Sequence, residues 1–194
     1  MNDIKILENY FTESIHIKTK LLKDDLTKKS ILNLSYLALK TLKNGGKIIL
    51  AGNGGSFSDA QHITAEFISR FMFDRAPLPA LTLGTNNSVL SAIGNDYSYQ
   101  DIFSRELRVL GSKNDLFIPI STSGNSKNII AAAKTAIELN IKCFGLTGTS
   151  SSELTKIIDC VKVPSNQTAH IQECHITIGH YICMYVEREF FNND

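Results

Sequence analysis

The chain has 194 residues, of which 43% are hydrophobic and four are proline, enough for one sizeable core and cramped for two, so a single domain over 1–194 is expected. Twenty Lys plus Arg against nineteen Asp plus Glu leave a formal charge of +1, with no dense basic tract to follow a phosphate backbone, which argues against nucleic acid as a partner. No stretch reaches the roughly 18 apolar residues of a membrane span, and the N-terminus lacks the basic and apolar regions of an export signal, so a cytoplasmic protein with no membrane partner is expected.

From Ile4 to Leu42 apolar residues recur at helical spacing (Ile4, Leu7, Tyr10 and Phe11, then Leu34, Leu37, Ala38 and Leu42), which predicts two helices before the first strand. Ile48 to Ala51 read as a buried parallel strand, broken by Gly52, Gly54 and Gly55. The helix that follows would be capped by Ser56 or Ser58. A short strand is predicted over Pro79–Gly84, a helix ending near Gly94, and a further helical segment over Tyr97–Gly111. A strand from Asp115 to Ile120 leads into a polar loop and an alanine-faced helix. Lys142 onward reads as strand, loop and helix start, Cys160–Ser165 as a last strand, and Ile171–Glu189 as a terminal helix. Strands alternating with helices argue a doubly wound parallel sheet covered on both faces, with right-handed crossovers that gather the loops on one edge. Cys143, Cys160, Cys174 and Cys183 show no C-x-x-C pairing and suit a reducing compartment.

Two loops carry the chemistry. Gly52, Gly54 and Gly55 allow close ligand approach, and Ser121-Thr122-Ser123-Gly124-Asn125-Ser126 places four hydroxyls and a glycine between a strand and a helix. Helix-start amides, the helix dipole and short hydroxyl donors hold a phosphate monoester without an arginine. The plainer alternative is a serine-rich turn with an N-cap. Neither loop matches the P-loop or the full dinucleotide fingerprint, so a sugar phosphate fits better than a nucleotide.

His62 and Glu66 sit four apart, roughly 40° apart around a helix axis, and can address one atom. On the terminal helix Gln172 and His180 lie two turns apart and roughly 80° around the axis. Imidazole from His62 and His180 with oxygen from Glu66 and Gln172 makes a mixed donor set suited to zinc, although no H-E-x-x-H or C-x-x-C accompanies it. His175, among apolar neighbours, reads as a hydrogen-bonded core residue.

Four segments, AGNGGSFSDAQHITAEF, AIGNDYSYQDIFSRE, ISTSGNS and IQECHITIGH, together resemble the bacterial phosphoheptose isomerases of the sugar isomerase (SIS) fold family, in order and spacing, over nearly the whole chain. The resemblance implies an αβα sandwich on a five-stranded, flavodoxin-like parallel sheet. It also implies a homotetramer that uses the N-terminal helices, about 1–44, and an active site shared between subunits. One zinc ion per subunit would sit at His62, Glu66, Gln172 and His180. Substrate contacts would come from Asn53, Gly54, Gly55, Glu66, Asn95, Asp96, Ser121, Thr122, Ser123, Ser126 and Gln172.

The implied reaction is aldose–ketose exchange of sedoheptulose 7-phosphate with a manno-heptose 7-phosphate, feeding lipopolysaccharide or capsule. Glu66 and His180 would be the acid–base pair acting through an enediol. Asp59, one turn before His62, would assist or simply favour the helix N-terminus. The chain departs from the family pattern at Ala169 and His170, where many relatives have an acid and an arginine, and at Phe57, where many have histidine. A non-catalytic family member that binds the replication initiator is the rival reading. It lacks the Glu and the second His, so Glu66 and His180 favour the enzyme.

Overall fold

A computed structural model describes residues 3–149 and 151–191. Ser150, in the expected loop after the fourth strand, and the end residues 1–2 and 192–194 of the expected domain lie outside the described residues. The two N-terminal helices form as the periodicity predicts, α1 over Asp3–Lys23 and α2 over Asp25–Lys43. Asp24 separates them, its carboxylate accepting from the amides of Leu26 and Thr27 to cap α2.

Five parallel strands follow among the described residues: β1 (Ile48–Ala51), β2 (Ala80–Thr82), β3 (Leu116–Ser121), β4 (Lys142–Gly148) and β5 (Asp159–Val163). Their order is β2-β1-β3-β4-β5, the flavodoxin-like arrangement. Register pairs Ile48 with Ala80 on one side and with Leu116 on the other, so β1 and β3 are neighbours and their carboxyl ends meet. The 2-residue period divides the core between two layers. Ile48 and Leu50 face Leu34, Ala38, Ile63 and Ile178 on α2, α3 (Gly55–Ile68) and α8 (Thr168–Phe191). Ile49 and Ala51 face the other side, where α4 (Asn87–Asp96), α5 (Ile102–Leu110), α6 (Lys127–Glu138) and α7 (Glu153–Ile157) supply Ile93, Phe103, Ile129 and Leu154.

Several boundaries move from their expected places. Neither Ser56 nor Ser58 caps α3; the cap position is Gly54, at φ 56°, a left-handed geometry suited to glycine, and Ser56 is buried in the first turn. α4 passes through Gly94 to Asp96, because that glycine is helical and the Tyr97 amide still finds the Ile93 carbonyl. The helical segment from Tyr97 is divided: a 3-10 turn at Tyr99–Asp101 precedes α5. α8 starts three residues early, and β2 is only three residues long. Cys174 and Cys183 are buried and Cys143 and Cys160 half-buried, all four as free thiols.

Candidate functional site

The β1 loop and the first turn of α3 bring the glycines under the terminal helix. A methyl group added at Gly55 would lie 2.4 Å from the Gln172 amide nitrogen, so a bare backbone lets α8 approach at this point. Three residues earlier, a methyl at Gly52 would lie 2.3 Å from the Ser56 carbonyl oxygen, which only glycine permits. Asn53 is fixed by a reciprocal pair with buried Asn128 of α6, at 2.9 and 2.8 Å, and its side-chain oxygen also accepts from the Tyr99 hydroxyl at 3.1 Å. Neither Asn128 nor Tyr99 was legible in the sequence, since a polar residue on an alanine-rich helix, or a tyrosine in a short 3-10 turn, carries no period of its own.

The serine loop begins at the end of β3, beside the glycine loop. The Ser121 and Ser126 hydroxyls are 3.1 Å apart, the Gly124 amide donates to Ser121 Oγ at 3.1 Å, and the Asn125 amide donates to Ser123 Oγ. Ser126 occupies the cap position of α6 without a side-chain cap bond, so the hydroxyl-rich turn is not consumed in capping the helix. Gly148 donates to the Thr122 carbonyl, and Gly124, at φ 65°, tucks under Ser152. Asn95 and Asp96 are exposed at the end of α4, the Asn95 amide bonded to Asp96 at 2.8 Å.

α3 and α8 run side by side and deliver the remaining side chains. His62 Nε2 and His180 Nε2 are 2.8 Å apart, and Glu66 Oε1 lies 3.4 Å from His62 Nε2. The Phe71 ring packs on the His180 ring with centroids 5.5 Å apart. Gly179 and Ile63, the neighbours of the two histidines, are in direct contact. His62, Glu66 and His180 are thus brought together, whereas Gln172 is set two turns earlier on α8, against Gly55. Asp59 is half-buried with one carboxylate oxygen unpartnered; burial raises its carboxyl above the ordinary range, and nearby His62 opposes the rise.

Two imidazole nitrogens that face each other across 2.8 Å, with a carboxylate at their flank, form a donor chemistry that suits zinc. Among the described residues no group of three or more His, Cys, Asp or Glu side chains is already arranged as a metal cluster. The donor set fits the ion; its closed arrangement would have to open slightly to receive one.

Behind the serine loop, buried His175 lies 3.3 Å from the Thr147 carbonyl, as a core residue should, and burial lowers its pKa to about 4. Beside Gln172, Glu173 gathers Tyr10, Ser14 and Lys18 of α1. The Ser14 hydroxyl, ahead of Lys18 and Tyr10, holds its carboxyl down at about 2 against the effect of partial burial. His170 turns inward and packs on Tyr10, with ring centroids 4.6 Å apart, so at this departure from the family pattern the side chain serves the α1–α8 contact.

The SIS domain family model matches residues 9–148. The phosphoheptose isomerase of Aneurinibacillus thermoaerophilus is 48% identical over 194 residues, covering 100% of this chain and 97% of that protein. Phosphoheptose isomerase 2 of Campylobacter jejuni is 48% identical over 186 residues, covering 95% and 92%. The structure of a phosphoheptose isomerase from Francisella tularensis superposes with a TM-score of 0.92 at 33% identity, over 97% of this chain and 100% of that one.

Proposed function

This chain belongs to the SIS domain family and, within it, to the phosphoheptose isomerases, and from that premise we propose that it interconverts D-sedoheptulose 7-phosphate and D-glycero-D-manno-heptose 7-phosphate. The observation that carries the reading is the meeting of His62, Glu66 and His180 from two helices, about two turns along α3 from the glycine loop. The non-catalytic rival has no use for such a group.

The exchange needs one proton taken from C1 of the ketose and one given to the C2 carbonyl oxygen, forming an enediol; return of a proton to C2, with loss of the O1 proton, yields the aldose. Glu66 and His180 are the acid–base pair. The hydroxyls of Ser121, Thr122, Ser123 and Ser126, with the amides at the start of α6, receive the phosphate. Asn53, Gly54, Gly55, Asn95, Asp96 and Gln172 contact the sugar. His62, Glu66 and His180 would hold one zinc ion per subunit, joined by the Gln172 amide oxygen once that side chain leaves Gly55, and the ion when bound would supply charge to polarise the carbonyl.

A homotetramer built on the N-terminal helices is part of the proposal. Ile4, Leu7, Phe11, Ile15, Leu22 and Leu26 are large apolar residues exposed on α1 and α2, and an apolar cleft of about 420 Å³ opens between these helices and α8. We place the reaction in the cytoplasm, supplying heptose for lipopolysaccharide or capsule; among the described residues no helix is long and apolar enough to cross a membrane.

The test is incubation of the purified protein with sedoheptulose 7-phosphate, with and without chelator, beside Glu66→Gln and His180→Ala. Conversion that chelation slows, and that both folded variants lose, supports the reading. Parental turnover in both variants overturns the catalytic roles, and binding of the replication initiator without isomerisation promotes the rival.

A further inference from the structure

The chain leaving α3 returns to the core through an ion pair that the chemistry above does not use. Arg75 and Glu187 are 3% and 1% exposed, with Nε and Oε1 2.9 Å apart. The Glu187 carboxylate also accepts from the backbone amides of Phe71 at 2.9 Å and Met72 at 2.6 Å. The rest of the guanidinium faces main-chain carbonyls: Nη1 donates to Phe67 at 2.7 Å and to Ser69 and Ala76 at 3.1 Å, and Nη2 donates to Glu66 at 2.7 Å. Glu66 and Phe67 lie in the last turn of α3, where carbonyls have no partner inside the helix and where a cation meets the negative end of the dipole.

A buried ion pair is not the most stabilising choice for such a place, because well-packed apolar residues commonly do as well or better once desolvation is counted. What the pair supplies is fixed direction. One guanidinium holds the main chain of Glu66. Its carboxylate partner lies two turns beyond His180 on α8 and holds the amide of Phe71, whose ring packs on His180. The helix end bearing Glu66, the ring covering His180 and the helix bearing His180 are therefore tied through a single pair of side chains.

We propose that Arg75 and Glu187 are positioning residues that hold Glu66 and His180 in register for proton transfer. The proposal rests on the acid–base roles given above for those two residues. Arg75 and Glu187 touch no substrate; they act through the main chain of Glu66 and through Phe71. Loss of register of about an ångström at reacting groups lowers turnover roughly a hundredfold while leaving much of the binding intact.

The experiment compares the parent with Arg75→Met/Glu187→Leu, which leaves no lone buried charge, and with Glu187→Gln. Thermal unfolding, kcat and KM on sedoheptulose 7-phosphate, and the imidazole NMR signals of His180 and His175 are measured on the full chain. The expected result is a folded double variant with kcat lower by roughly tenfold to a hundredfold, KM within about twofold, shifted His180 signals and unchanged His175 signals. A folded double variant with parental kcat and an undisturbed His180, or one altered only in thermal stability, overturns the proposal. If the double variant does not fold, Glu187→Gln, which keeps the shape and an acceptor oxygen, is judged by the same measurements. Failure of the parent to isomerise the sugar would refute the functional reading separately, and the His180 signals would still decide whether the pair sets the position of that ring.

Discussion

Gly179→Ala perturbs the site through the packing of two helices without touching a reacting group. Gly179 precedes His180 on α8, and a methyl there would lie 2.5 Å from Ile63 Cδ1 and 2.7 Å from Ile63 Cγ1, on the residue that follows His62. Ordinary contact begins near 3.4 Å, so α3 and α8 must part locally by about 1 Å, or Ile63, 3% exposed in the core, must find another rotamer. Overpacking of this kind costs about 1–3 kcal/mol, and replacing a helical glycine by alanine returns about 1 kcal/mol. The net is a loss of about 0–2 kcal/mol, or roughly 0–8 °C in melting temperature for a chain of this size. Catalysis should suffer far more, because the same displacement acts on a histidine pair 2.8 Å apart and is worth roughly a hundredfold in kcat. Thermal unfolding with steady-state kinetics measures both, and Ile63→Val, which removes Cδ1, should recover about tenfold in the double variant. A folded Gly179→Ala protein with parental kcat would refute the view that close helix contact sets the histidine geometry.

Three further outcomes are expected. His175 has its pKa lowered from 6.5 to about 4, so the unfolded chain binds the extra proton first as pH falls. Its contribution, at most about 3 kcal/mol, is full above pH 6.5 and lost progressively down to pH 4; urea midpoints should fall less over that range in His175→Gln than in the parent, and equal falls would contradict the assignment. Gly52→Ala should cost about 2 kcal/mol or more and remove turnover, because its methyl would meet the Ser56 and Phe57 backbone, which cannot turn aside as a side chain can; calorimetry with an activity assay checks it. Asn128→Leu strips Asn53 of its reciprocal partner and should raise KM about tenfold with a smaller change in kcat, whereas a change in kcat alone would argue that Asn53 does not hold the sugar.

Much of this protein was legible in one dimension because its elements announce themselves by local rules. The all-apolar strand 48–51, the helical spacing of α1 and α2 and the two glycine- and serine-rich breaks follow from periodicity and turn chemistry, which act over a few residues. Boundaries slipped by a few residues where composition misled: Gly94 stays helical, its turn closed by the Tyr97 amide on the Ile93 carbonyl, and Gly54, at a positive φ, takes the cap position expected of a serine. The partners Asn53 and Asn128, His62 and His180, and Arg75 and Glu187 are 75, 118 and 112 residues apart. No local period relates such positions. They meet because β1 lies between β2 and β3 and because α3 and α8 cover the same face of the sheet, and that choice belongs to the packing of the whole chain. The sequence alone determined which side chains were available and on which elements; the tertiary structure decided which of them touch, since contact depends on layer order and helix approach, quantities that exist only once the core has formed.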